Sequence, residues 1–223
     1  MNKINYLSHN WLVQKINNES FKKSLCYIKG RVIDLGCGDG QYREDILKVA
    51  EEYIGVDWKN SFHDQSRVDV FADLNKPLPL NDCSSETVVA FQVLEHLPEP
   101  SAFISECFRI LKPNGTLILT IPFMWYLHES PYDYFRFTKF GLEYLLKKNS
   151  FNVISINECT GFWQMGILKI NYYTKRFAKG FLKYLFVPFW WIGQFIAPIL
   201  DFDKYPVETA GYVVVATKPK EVM

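Results

Sequence analysis

With 223 residues, the chain has room for one α/β domain of ordinary size with a full core, and positions 1–223 read as a single domain. A formal net charge of +1 supplies no strong field for nucleic acid, so that class of partner is disfavoured and none is expected. Cys26, Cys37, Cys83, Cys107 and Cys159 are scattered, odd in number and without C-x-x-C spacing, which argues against a disulfide framework or a zinc site and for a reducing cytoplasm.

Met1-Asn-Lys-Ile-Asn-Tyr6 lacks the apolar stretch of a signal peptide. Residues 8–29 carry Trp11, Leu12, Ile16, Phe21, Leu25 and Ile28 at a roughly helical period. This predicts a lead-in helix packed beside the first strand, with His9 at the surface. Next comes Arg31-Val-Ile-Asp-Leu-Gly-Cys-Gly-Asp-Gly40, an apolar strand running into glycines at every second position. Gln41 to Ala50 then read as a helix with Tyr42, Ile46, Leu47 and Ala50 on one side. Strand, glycine turn and helix open a doubly wound α/β fold, because a backbone without Cβ can turn sharply and lie against a ligand. A dinucleotide loop, G-x-G-x-x-G, would need its third glycine where Gln41 stands. Asp34, two residues before Gly36, would repel a pyrophosphate and suits a ligand carrying an ammonium group. Cys37 reads as a small filler.

Tyr53 to Asp57 predict a second strand ending in an acid, 17 residues after Gly40, where ribose hydroxyls need an acceptor. Residues 60–67 read as a polar loop, Val68 to Phe71 as a third strand, and Asp73 as a further acid at a strand end. Glu86 to Leu97 run from a strand into an active-site loop. Pro98 to about Leu111 form a helix with Phe103, Ile104, Cys107, Phe108 and Leu111 inward, stopped by Pro113-Asn-Gly115. Thr116 to Ile121 are the next strand. Pro122 to Phe137 make a long connection rich in polar-tipped aromatics, at a strand end where ligands sit in such sheets. Thr138 caps a helix through Leu146, Val153 to Cys159 form a strand, and Gly211 to Thr217 the last one.

Asp34-Leu-Gly-Cys-Gly-Asp-Gly40, Val56-Asp57, Ala72-Asp73-Leu74 and Leu94-Glu-His-Leu97, in this order and with Asn114-Gly115 before a strand, resemble the class I S-adenosylmethionine (SAM)-dependent methyltransferases. The likeness is to their small-molecule, type 11-like group, and covers roughly residues 30–160 and the final strand. It implies a Rossmann-like, mostly parallel seven-stranded sheet with SAM as cofactor. It places Asp34, Gly36, Cys37, Gly38, Gly40, Asp57, Trp58, Asp73, Leu74, Gln92 and Val93 at that cofactor. The string from His128 to Thr138 resembles a subgroup associated with bacterial glycan and surface-polysaccharide biosynthesis. The acceptor expected is therefore a small molecule or glycan, methylated at oxygen. The alternative is a non-catalytic SAM-fold module that holds a partner or membrane.

Methyl transfer from a sulfonium depends mainly on alignment, and an alcohol acceptor gains from a nearby base. His96, His128 and Glu129 are the catalytic candidates, against the structural readings that His96 braces its loop with Glu95 and that His128 and Glu129 hold the long loop. Tyr126, Tyr132 and Arg136 are the substrate candidates. The tyrosines, Tyr134 among them, stack on a sugar or fill space, and Arg136 binds an anion or pairs with Asp133. No metal is expected, since His128 and Asp133 alone do not make a site.

Residues 161–205 form an insertion before the last strand. Between Glu158 and Asp201 there is no acid, but Lys169, Lys175, Arg176, Lys179 and Lys183 occur, the last three lysines spaced to share a helical face. The uncharged run Tyr184 to Leu200 is too short and too rich in proline and glycine to span a membrane. A subdomain over the substrate pocket, an interfacial membrane patch at the inner face and a dimer contact through residues 175–200 all remain open.

Overall fold

The computed structural model describes residues 5–60, 64–203 and 206–220; positions 61–63 of the expected polar loop and 204–205 of the insertion lie outside them. The elements are α1 (Trp11–Ser24), β1 (Arg31–Leu35), α2 (Arg43–Ile46), β2 (Glu52–Asp57), β3 (Val70–Phe71), β4 (Ser85–Phe91), α3 (Pro100–Ile110), β5 (Leu111–Pro122), α4 (Lys139–Lys148), β6 (Asn152–Glu158), α5 (Phe162–Lys175), α6 (Lys183–Leu200) and β7 (Gly211–Thr217). One seven-stranded sheet has the order β3-β2-β1-β4-β5-β7-β6. Its pairs are parallel from β3 to β5, and β7 runs antiparallel to both β5 and β6.

The central strands are apolar at nearly every position because helices cover both faces. Successive side chains alternate between them. Ile33, Val88 and Leu117 join Phe103, Ile104 and Cys107 of α3 and Leu142 and Leu146 of α4. Val32, Val89 and Ile118 face the other way, onto Phe21 of α1, Tyr42 and Ile46.

Three local expectations are corrected. The helix after the glycine turn is a single turn, Arg43–Ile46, and Leu47 is exposed, while Tyr42 and Ile46 pack with Phe21 and Ile28 on that side of the sheet. The third strand is the pair Val70–Phe71. Helix α3 ends at Ile110, within a residue of the expected end, but β5 begins at once at Leu111 with a bulge, so Pro113-Asn-Gly115 lie in the strand and are not the helix stop. There Asn114 takes the left-handed conformation, φ +60°, which asparagine tolerates.

The insertion is a helical hairpin seated on α1. Trp11 stacks on Phe195 with ring centroids 4.9 Å apart, and Leu12 and Ile16 pack on Leu168. The buried Gln194 accepts from the Leu12 N–H at 3.0 Å and donates to the Ser8 carbonyl at 3.1 Å. Asp201 accepts the N–H groups of Trp163 (2.8 Å) and Gln164 (2.9 Å), closing the hairpin by capping α5 from the far end of α6. His9 is half-buried, not a surface residue: its ring lies 5.0 Å from Tyr172 and 5.6 Å from Trp190, and burial, aided by Lys175, pushes its pKa down to about 4. Lys175, Lys179 and Lys183 do not share a helix. Lys175 ends α5, Gly180 at φ +52° turns the chain, and Lys183 begins α6. Among the described residues no helix is long and apolar enough to cross a membrane.

Candidate functional site

A cavity of about 540 Å³ opens at the carboxyl ends of β1, β2, β4 and β5, where the strand order reverses between β1 and β4. Ligands of open α/β sheets bind at such a switch point. Gly36, Gly38 and Gly40 all have positive φ, +79°, +56° and +66°, so the alternate glycines meet a backbone demand. The Gly36 and Cys37 N–H groups donate to the Val56 carbonyl at 2.8 and 3.1 Å, tying the turn to β2. Asp57, buried at the end of β2, accepts from the Gly38 N–H (2.8 Å) and from its neighbour Trp58 (2.7 Å). Gly36, Cys37, Gly38, Asp57 and Trp58 line the cavity; Gly40 does not. Burial, with Asp34 and Asp57 nearby, pushes the Cys37 thiol up, so it stays protonated.

Asp73 and Leu74 reach the wall from the turn after β3, where the Asn75 N–H at 3.0 Å helps hold the Asp73 carboxyl below its usual range. Gln92 and Val93 reach it from the end of β4. Gln92 is left-handed at φ +57°, its N–H donating to the Thr120 carbonyl at 2.9 Å and its amide to the Thr120 hydroxyl at 3.2 Å. Helix α1, expected only to pack, contributes Val13, Ile16 and Asn17 to the wall, and α5 contributes Tyr172.

Asp34 is a correction. It is buried beneath the turn and is not part of the cavity wall. Its Oδ2 accepts from the Tyr53 hydroxyl at 2.7 Å, and Oδ1 has no hydrogen-bond partner among the described residues. Burial raises its pKa to about 7, opposed by the Tyr53 bond.

The long connection after β5 folds over the other half of the cavity. Tyr126, His128, Glu129, Tyr132 and Tyr134 line it, as does His96 from the loop after β4. The two imidazoles meet edge to face, 4.9 Å apart. His96 Nδ1 lies 2.8 Å from the Tyr132 carbonyl, and its Nε2 is 3.6 Å from Glu95 Oε1 and 3.8 Å from Glu129 Oε2. His128 Nδ1 lies 3.1 Å from Asp133 Oδ2, and burial lowers its pKa against the pull of Asp133. Glu95 is fully buried; burial pushes its pKa up to about 8. Trp58 meets Tyr132 edge to face at 5.3 Å, joining the two halves.

Arg136 is a second correction. It does not face the cavity. Its guanidinium grips Asp133 through two bonds, 2.5 and 2.7 Å, and donates to the carbonyls of Phe135 (2.8 Å) and Tyr126 (2.9 Å). Although burial works to raise it, the Asp133 carboxyl is held far below the usual range by Arg136 and by the His128 N–H. The pair shapes the loop and leaves no donor for a substrate anion.

The wall therefore carries Asp39, Asp57, Asp73 and Glu129, with no lysine or arginine among the described residues that line it. Such a cavity accepts a cationic sulfonium or ammonium and repels a polyphosphate. The left-handed turn leaves backbone room beside it, so the residues present fit S-adenosylmethionine.

Fold and site together define a Rossmann-like SAM-binding domain of the methyltransferase type. Residues 33–119 match the family model described as a methyltransferase domain. A probable S-adenosylmethionine-dependent methyltransferase of Mycolicibacterium smegmatis is 40% identical over 96 residues, 41% of this chain and 37% of that protein. A ubiquinone biosynthesis O-methyltransferase of Psychrobacter cryohalolentis is 26% identical over 165 residues, 66% of this chain and 62% of that protein. Among solved structures, a methyltransferase from Mesorhizobium loti has a TM-score of 0.61 at 15% identity, covering 93% of this chain and 100% of that one. The [4+2]-cyclase SpnF has a TM-score of 0.62 at 19% identity, covering 93% and 82%. The chain is thus similar, over residues 33–119, to the SAM-dependent methyltransferases, and that similarity supports S-adenosylmethionine as its cofactor. It spans about a third of the length of the first curated relative, 37%.

Proposed function

We propose that this chain transfers the methyl group of S-adenosylmethionine to a hydroxyl oxygen of a neutral small molecule or glycan. The observation that carries the reading is the cavity itself: a glycine turn with acids at one end, two histidines and edge-to-face or tilted aromatics at the other, and no lining cation among the described residues. SAM supplies an electrophilic methyl group on a sulfonium. Asp57 and Asp73 face the ribose and adenine donors, and Gln92 and Val93 border the same ligand. His96, His128 and Glu129 take up the acceptor's proton, while Tyr126 and Tyr132 flank its ring. Holding donor and acceptor in line is the larger part of the task. Without an available arginine, a phosphorylated acceptor is disfavoured. Calorimetry with SAM, followed by transfer of labelled methyl to a panel of neutral sugars and phenols, tests the proposal. Tight SAM binding is expected, at least tenfold weaker in Asp57→Ala; a folded protein that does not bind SAM rejects it, and binding without transfer favours the non-catalytic alternative.

We also place the protein in the cytoplasm, in contact with anionic membrane through the insertion. Phe181, Tyr184, Leu185 and Ile199 are exposed large apolar side chains, beside five cations and no acid between Glu158 and Asp201. Basic and aromatic surfaces bind anionic bilayers. Sedimentation with anionic vesicles is expected and should fall with neutral ones. No binding, or a dimer in solution that covers the same face, rejects the membrane reading.

A further inference from the structure

We propose that Glu95, His96 and His128 bind one divalent transition-metal ion at the cavity wall. Their ligand atoms lie within 4.8 Å of one another. The tautomers are set by the neighbours. The Tyr132 carbonyl can only accept, so the His96 proton sits on Nδ1 and the lone pair on Nε2. His128 Nδ1 lies 3.1 Å from Asp133 Oδ2 and 3.4 Å from Arg136 Nη2; a proton on Nδ1, donated to the ionised Asp133 across the shorter contact, leaves the lone pair on Nε2 as well. Metal-ligating histidines are oriented in this way, by a carbonyl or carboxylate on the ring nitrogen away from the ion.

Glu95 supplies an independent observation. It is fully buried, and neither carboxylate oxygen has a hydrogen-bond partner among the described residues. A buried carboxyl without partners is costly, and an ion beside His96 would satisfy it. Glu129 Oε2, 3.8 Å from His96 Nε2, adds an oxygen on the cavity side. The nearest guanidinium, that of Arg136, is engaged with Asp133 and backbone carbonyls. Two imidazoles with carboxylates suit zinc, iron, cobalt or manganese better than calcium or magnesium.

The inference deepens the proposed methyl transfer and rests on it for its role. An acceptor hydroxyl on the ion becomes more acidic. With both imidazole lone pairs on the ion, His96 and His128 no longer act as bases: Glu129 alone takes the proton as the acceptor's O–H bond breaks, and the O–C bond forms as the S–C bond of the donor breaks.

The test uses the full chain, stripped with a chelator and titrated with Zn²⁺ and Mg²⁺ by calorimetry and with Co²⁺ by visible absorption. The expected result is one Zn²⁺ or Co²⁺ per chain, Mg²⁺ at least tenfold weaker, and at least tenfold weaker Zn²⁺ binding in His128→Ala and in Glu95→Gln, both still binding SAM. SAM binding without saturable Zn²⁺ binding, or equal Zn²⁺ affinity in wild type and both variants, overturns the metal site alone. Zn²⁺ binding without SAM binding overturns the methyl-transfer reading and leaves the site standing.

Discussion

Asp34→Asn should change how stability depends on pH. In the unfolded chain this carboxyl titrates near its ordinary value of 3.8, whereas burial beneath the glycine turn raises it to about 7. Between these values the folded chain keeps a proton that the unfolded chain has released. Stability therefore falls as pH rises through the window and levels off above the folded value. Each pH unit costs about 1.4 kcal/mol, so the whole window costs about 4 kcal/mol at most. The Asn variant has nothing to titrate, so the difference between the two proteins isolates this group. Relative to wild type the variant should gain about 2–4 kcal/mol between pH 4 and pH 8. Tyr53→Phe removes the hydroxyl that bonds Asp34 at 2.7 Å and opposes the shift; its decline should continue above pH 7. Urea unfolding at unit pH intervals measures all three. Parallel curves for wild type and Asp34→Asn would refute the reasoning, because the buried acid would then be ionised throughout.

Arg136→Met leaves the Asp133 carboxylate buried without its cation and should cost about 3–5 kcal/mol, read as a lower melting temperature; an unchanged melt contradicts the strap. Gly36→Ala places a Cβ 2.5 Å from Val93 Cγ2 at φ +79°, which predicts a loss of about 1–3 kcal/mol and weaker SAM binding by calorimetry. Gly211→Ala puts a Cβ 2.3 Å from the Ile121 carbonyl oxygen in the β5–β7 ladder. A loss of about 2–3 kcal/mol in urea is expected, and wild-type stability would show that the ladder yields freely.

Much of the fold could be read from local pattern. The central strands are apolar at nearly every position because both faces are covered, and the alternate glycines of the turn mark positive φ. Thr138 reads as a cap because its hydroxyl accepts from the Gly141 N–H three residues on, at 3.1 Å. Such signals lie within one or two turns of chain, where the residue type and the backbone it favours are coupled directly.

Side-chain meetings across long separations were not legible. Asp34 looks like a ligand contact by position, and burial under the turn raises its pKa and pairs it with Tyr53. Arg136 keeps both readings in the sequence, and the path of the loop decides for Asp133. His96 and His128 lie far apart in the chain and touch only because the connection after β5 folds back over β4. His9 and the insertion became partners because α5 and α6 dock on α1. The sequence alone determined which strands form, where the glycine turn lies and which acids stand at strand ends, since hydrophobic period and Cβ sterics act locally. The tertiary structure decided which charges are exposed to the cavity and which are buried, because electrostatic environment is set by packing among distant segments.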